Sequence, residues 1–155
     1  MYLYGKRFLW SGGDEKLKES ISKQFPNLPH KPSEISFEIM YWRKANAIHK
    51  WFVDNVQEGN DDCGNYDVSI EQLKELRDIL KKGLTDKNKV ALRLNKDALS
   101  GKDAPLPTTS GFFFGGTEYD EYYWAELEKT LKMLNGIFNN PKAYEDIDFE
   151  YHSSW

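Results

Sequence analysis

Arg43, Asn46, Lys50 and Gln57 recur at spacings of three, four and seven residues, so on a helix they stack into one stripe. The stripe carries two cations, two amides and no acid. Its donors suit phosphate or carboxylate oxygens, and Arg43 can hold two oxygens at once. An ordinary solvated helix face has the same composition, so the stripe alone leaves both readings open. His49 falls at the margin of this stripe, either as a general base or as a satisfied structural histidine. Trp51 points away from the apolar side of the same helix and Trp42 flanks it, which offers flat rings for stacking. Asp120 and Glu121 are adjacent at a helix start and diverge, so they make a poor metal-ligand pair. The one cysteine, Cys63, belongs to no Cys/His cluster with zinc spacing. No catalytic residue, metal or cofactor is assigned.

The second constellation is "SGFFFGGTEYDEYYW", residues 110–124. It lacks the Lys-Ser/Thr of a P-loop and is not GxGxxG. Gly115-Gly116-Thr117 precedes a helix whose N-terminus has unpaired N–H groups, but Glu118, Asp120 and Glu121 already place negative charge there. A capped helix behind a turn is therefore favoured over a phosphate site at that end alone. In an extended segment Phe112 and Phe114 face one way and Phe113 the other, so at least one ring needs a separate cover. Core packing, an oligomer contact and the floor of a nucleobase site are all compatible with that. With Tyr119, these rings would supply stacking.

At 155 residues with 30% charged and 15% aromatic residues, the chain fits one domain with a single core. The net charge of −4 argues against a nucleic-acid polymer as partner, though not against a local basic pocket for one small anion. The N-terminus does not read as a signal peptide, and no apolar run has the ~20 residues of a membrane helix. The expectation is a cytoplasmic protein.

These side chains need positioning elements. Alternation predicts strands at 1–10, at 33–42 and in the tail 145–155, while prolines 26, 29 and 32 make 25–32 an extended loop. A short charged helix fits 14–24, with Leu17 and Ile21 facing in, and a second helix fits 41–57. Ser69 and Gln72 have capping-box spacing ahead of a helix face of Ile70, Leu73, Leu76, Leu80 and Leu84. Asp120 starts the last helix, with Tyr123, Trp124, Leu127, Leu131, Leu134 and Phe138 on its apolar face and Asn139-Asn140-Pro141 as its stop. Residues 85–105 stay ambiguous between a short helix or strand and a surface loop. The fold class is α+β, a single domain over residues 1–155 with a small antiparallel sheet of about three strands and three or more helices.

"YWRKANAIHKWFVDNVQ" (41–57) and "LPTTSGFFFGGTEYDEYYW" (106–124) resemble paired signatures of a family of small phage- and prophage-encoded proteins. Cys63 stands where that family's single cysteine is expected. The resemblance carries over no catalytic residues; it implies a phage context. By analogy, that context includes counter-defence proteins that sequester cyclic-nucleotide or ADP-ribose-type immune signals, commonly as homo-oligomers. The expected function is such a binding protein in the bacterial host cytoplasm. Trp42, Arg43, Asn46, His49, Lys50, Trp51, Phe112, Phe113, Phe114 and Tyr119 are its expected ligand-binding residues. The alternatives are a nucleotide hydrolase or transferase, and a module that inhibits a host enzyme by contact.

Overall fold

In the computed structural model, residues 1–10, 12–85, 104–111 and 115–154 are described. The N-terminal alternation becomes β1 (Tyr2–Phe8), and the isoleucine-phenylalanine alternation becomes β2 (Glu34–Tyr41). The tail supplies β4 (Asp148–His152), which lies between β1 and a short strand β3 (Asn65–Val68). All pairings are antiparallel, in the order β2-β1-β4-β3. The fourth strand, β3, exceeds the three expected. Its four residues are squeezed between an acidic turn and the Ser69 cap, too few for alternation to register.

Four helices accompany the sheet among the described residues. They are α1 (Glu15–Gln24), α2 (Asn46–Asn55), α3 (Ile70–Gly83) and α4 (Glu121–Asn139), followed by a 3-10 turn at Pro141–Tyr144. In α1 Leu17 and Ile21 are half-buried as expected, but the most enclosed residue is Lys18, whose Nζ donates to the Trp10 carbonyl. The capping box of α3 forms in both directions: Ser69 Oγ accepts from Gln72 N–H at 3.1 Å, and Gln72 Oε1 accepts from Ser69 N–H at 2.8 Å. Asp120 caps α4 by accepting from Tyr123 N–H at 3.0 Å. Asn140 and Pro141 end α4, where expected. No helix of the described residues is long and apolar enough to cross a membrane.

The core forms on the sheet face that carries Leu3, Met40, Phe149 and Tyr151. Leu73, Leu76 and Leu80 of α3 and Leu127, Leu134 and Ile137 of α4 close over it. Each such side chain contributes about 1.5–3 kcal/mol of burial. The Phe52 ring of α2 stacks on Tyr151 with centroids 4.0 Å apart. Gly5 leaves room on this face for two isoleucines of the sheet and its approach: a Cβ there would lie 2.8 Å from Ile147 Cγ2 and 3.1 Å from Ile39 Cδ1. The even-numbered aromatics of β1 turn to the opposite face, where Tyr2 stacks on Tyr4 and meets Tyr41.

Candidate functional site

The chain between β2 and α2 builds the site. Trp42 is fully buried, and its Nε1–H donates to Thr130 Oγ1 of α4 at 2.8 Å. Its backbone N–H is held by the Met1 carbonyl, so the end of β2 is fixed to both sheet and helix layer. Lys44 then adopts φ +61°, a left-handed turn uncommon for a side-chain-bearing residue. Only after that turn does α2 begin, at Asn46. Arg43 and Lys44 therefore lie in the bend before the helix, not on its surface.

This displaced start rearranges the expected stripe. Asn46 is 4% exposed and donates from Nδ2 to the Gly116 carbonyl at 2.7 Å, with a longer contact to the Gly115 carbonyl at 3.4 Å. Lys50 pairs with Asp54 one turn along at 2.6 Å and does not line the cavity described below. Gln57 lies beyond the end of α2, buried, with Nε2 donating to the Asn60 carbonyl. The expected stripe is broken because Arg43 precedes the start of α2 and Gln57 follows its end.

Two tryptophans need correction as ligand-stacking residues. Trp51 is 5% exposed and packs edge-on against Phe52, so it belongs to the core rather than the far side of the helix. Trp42 is enclosed as described. His49 is 1% exposed, with Nε2 3.0 Å from Asp61 Oδ2 and Nδ1 2.7 Å from the Tyr151 hydroxyl. A neutral ring protonated on Nε2 satisfies both, donating to the carboxylate and accepting from the phenol. Burial pushes the Tyr151 hydroxyl far above its ordinary pKa, with the Asp61 charge adding to it, so the phenol keeps its proton. His49 thus fastens α2 to β4 and does not line the cavity.

The sequence does not say whether the cationic element and the glycine segment meet. They do. A Cβ on Gly115 would lie 3.1 Å from the Lys44 carbonyl, so glycine is what permits this approach. The contact encloses a cavity of about 310 Å³ between the start of α2 and the first turns of α4. Arg43, Lys44 and Asn46 line one side; Thr108 and Gly115-Gly116 line the segment between; Glu118, Asp120, Tyr122 and Glu126 line the other. Phe112, Phe113 and Phe114 fall outside the described residues.

Tyrosines position the segment. Tyr123, 8% exposed, donates its hydroxyl to the Leu106 carbonyl at 2.8 Å and accepts from the Leu106 N–H at 3.2 Å. Tyr119 accepts from the Thr108 N–H at 3.3 Å, and Thr108 Oγ1 donates to the Thr117 carbonyl at 2.9 Å. Tyr119 is thus half-buried and structural. Tyr122, 83% exposed, is the ring at the cavity mouth.

Electrostatically the cavity has two sides. Arg43 and Lys44 form no ion pair with the described residues, and Ala45 caps α2 without any side-chain acceptor. The first-turn N–H groups of a helix have no intrahelical acceptor four residues back, and they concentrate positive potential. Facing them are three carboxylates, of which Glu126 has one enclosed oxygen, Oε2, without a hydrogen-bond partner. A ligand that carries both an anionic group and N–H or O–H donors matches this division. A larger groove of about 900 Å³, near Ile70, Phe138 and Tyr144, presents Asp67, Glu145 and Asp148 but no basic side chain, and suits an anion poorly.

Lys44, Thr108 and Glu126 went unselected in the sequence. Lys44 had a signal, its adjacency to Arg43, hidden by assigning both to a helix. No protein-family model, curated protein or solved structure matches the chain.

Proposed function

We propose that the protein is a binding protein that sequesters a nucleotide-derived signal in the cavity between α2 and the Gly115-Gly116 segment. The observation that carries this reading is the pair of cations Arg43 and Lys44, which form no ion pair with the described residues, set beside a helix start that lacks a side-chain cap. In this reading they hold the phosphate, with Arg43 bidentate. The carboxylates opposite accept from ribose hydroxyls or base N–H groups, and the base lies against Tyr122 at the mouth. The cavity volume is at the lower end for small-molecule sites, about 300–1,000 Å³, so it fits one nucleotide unit per chain.

The resemblance expected from segments 41–57 and 106–124 is what directs the choice of ligand to a bacterial immune signal of the cyclic-nucleotide or ADP-ribose type. The hydrolase or transferase reading needs His49 as base or Asp120 and Glu121 as a metal site; the His49 ring is committed to Asp61 and Tyr151 outside the cavity, and Asp120 caps α4 by accepting from Tyr123 N–H. Sequestration uses only the groups present at the cavity wall.

The test is to purify the protein from cells producing such signals, heat it and identify released small molecules by mass spectrometry. The expected result is a phosphate-bearing ribonucleotide species returned intact, and its absence from an Arg43→Ala, Lys44→Ala preparation. Recovery of no phosphorylated species, or equal recovery from the variant, contradicts the proposal.

A further inference from the structure

The outer edge of β2 is the longest free strand edge among the described residues. β2 spans eight residues and pairs with β1 alone, whereas the opposite edge strand, β3, has four. Natural sheets guard such edges with charged side chains, lysine above all, with proline, with bulges or with short length. β2, "EISFEIMY", contains neither lysine nor proline, and its charges are Glu34 and Glu38. A bulge disturbs the pairing only near its C-terminal end, between Leu3 and Tyr4 of β1.

The direction of the free hydrogen-bonding groups follows from the ladder. Leu9 N–H donates to the Ser33 carbonyl, and the pairs Arg7–Ile35 and Gly5–Phe37 continue in the same phase. Antiparallel ladders alternate, so Glu34, Ser36 and Glu38 turn their N–H and C=O groups away from β1 toward the open edge. Phe37 pairs with Gly5 and so lies on the core side of the sheet, yet it is 46% exposed. Ile35 and Ile39 in the same row are only half-buried. The helix layer thus stops short of this row.

We infer that the occupant of this edge is a second copy of the chain, paired β2 to β2 about a two-fold axis through Phe37. In this register Ser36 lies opposite Glu38 of the second copy and Phe37 opposite its Phe37. The charges select it. Shifting the pairing by one step toward the N-terminus sets Glu34 against Glu38, and by one step toward the C-terminus sets Glu38 against Glu38; like charges directly opposite destabilise a sheet. Ile35, Phe37 and Ile39 then continue into Ile39, Phe37 and Ile35 of the second copy, so the two half-covered rows cover each other. The product is one eight-stranded sheet with a self-complementary interface. This assembly is independent of the ligand cavity, which no β2 residue lines.

The test combines sedimentation with site-directed cross-linking. Sedimentation of the wild type over a concentration series should reach twice the 18.1 kDa chain mass. Ser36→Pro removes only an outward-facing N–H, so it should keep the circular dichroism spectrum and raise the dimer dissociation constant at least ~10-fold. If that variant misfolds, cross-linking still decides. In a Cys63→Ser background, Phe37→Cys should oxidise rapidly to a covalent dimer, because residues facing across the axis have Cα atoms about 4.5 Å apart, within disulfide reach of about 4.4–6.8 Å. Asp67→Cys, on the opposite edge strand, should not. A wild type that stays monomeric at all concentrations overturns the inference, as does cross-linking at position 37 no faster than at position 67.

Discussion

Asn46 joins α2 to the glycine segment, and replacing it tests whether that junction is a fixed part of the fold. Asn46→Ala removes a 2.7 Å hydrogen bond to the Gly116 carbonyl and a weaker 3.4 Å contact to Gly115. Counting one well-formed bond at a buried donor gives a loss of about 1–2 kcal/mol. For a chain of this size, at about 2–4 °C per kcal/mol, the midpoint of thermal unfolding should fall by roughly 2–8 °C. The larger effect should be local. Without the tether, Gly115 no longer holds against Lys44, so hydrogen exchange should quicken across residues 115–119 while the α3 amides keep their protection. Thermal denaturation by circular dichroism and exchange mass spectrometry read the two parts separately. An unchanged midpoint with unchanged exchange at 115–119 would refute the reasoning.

Two further perturbations address the scaffold. Tyr123 and Tyr151 both have hydroxyl pKa values raised by burial from an ordinary value of 10.0. Above that pH the unfolded tyrosines ionise while the folded ones stay protonated; the native state then holds more protons, and stability falls as pH rises. Urea unfolding should lose about 1.4 kcal/mol per pH unit for each tyrosine above pH 10, and Tyr151→Phe should reduce that slope. Thr130→Val leaves the Trp42 indole N–H buried without its acceptor, at a cost of about 1–3 kcal/mol. The thermal midpoint should drop by about 2–12 °C, with a change in tryptophan fluorescence.

The α+β class was legible because its signals are local. Ser69 and Gln72 announced a capping box that forms, and the leucine spacing behind them marked the buried face of α3. Asp120 and the Asn139–Pro141 stop delimited α4 for the same reason. The candidate site was legible only in part. Arg43 and Asn46 do line the cavity, but the left-handed turn at Lys44 left no recognisable trace in residue type, and a continuous helical wheel moved Lys50 and Gln57 into a site they do not share. The burial of Trp42, Trp51 and His49 depends on partners far along the chain, Thr130 and Tyr151 among them. Spacing within one helix does not encode those contacts. Tyr122 and Tyr119 are near neighbours of the same type, and only tertiary contact with Thr108 separates the exposed ring from the structural one.

Calorimetric titration with a panel of cyclic mono- and dinucleotides and ADP-ribose derivatives tests the cavity most directly, on the wild type and on Arg43→Ala and Lys44→Ala variants. The wild type should bind at least one member, and each substitution should weaken that binding by about 10- to 100-fold, the loss of one charge-assisted contact of about 1.5–3 kcal/mol. Absence of binding heat across the panel, or variants that bind as tightly as the wild type, would contradict the account.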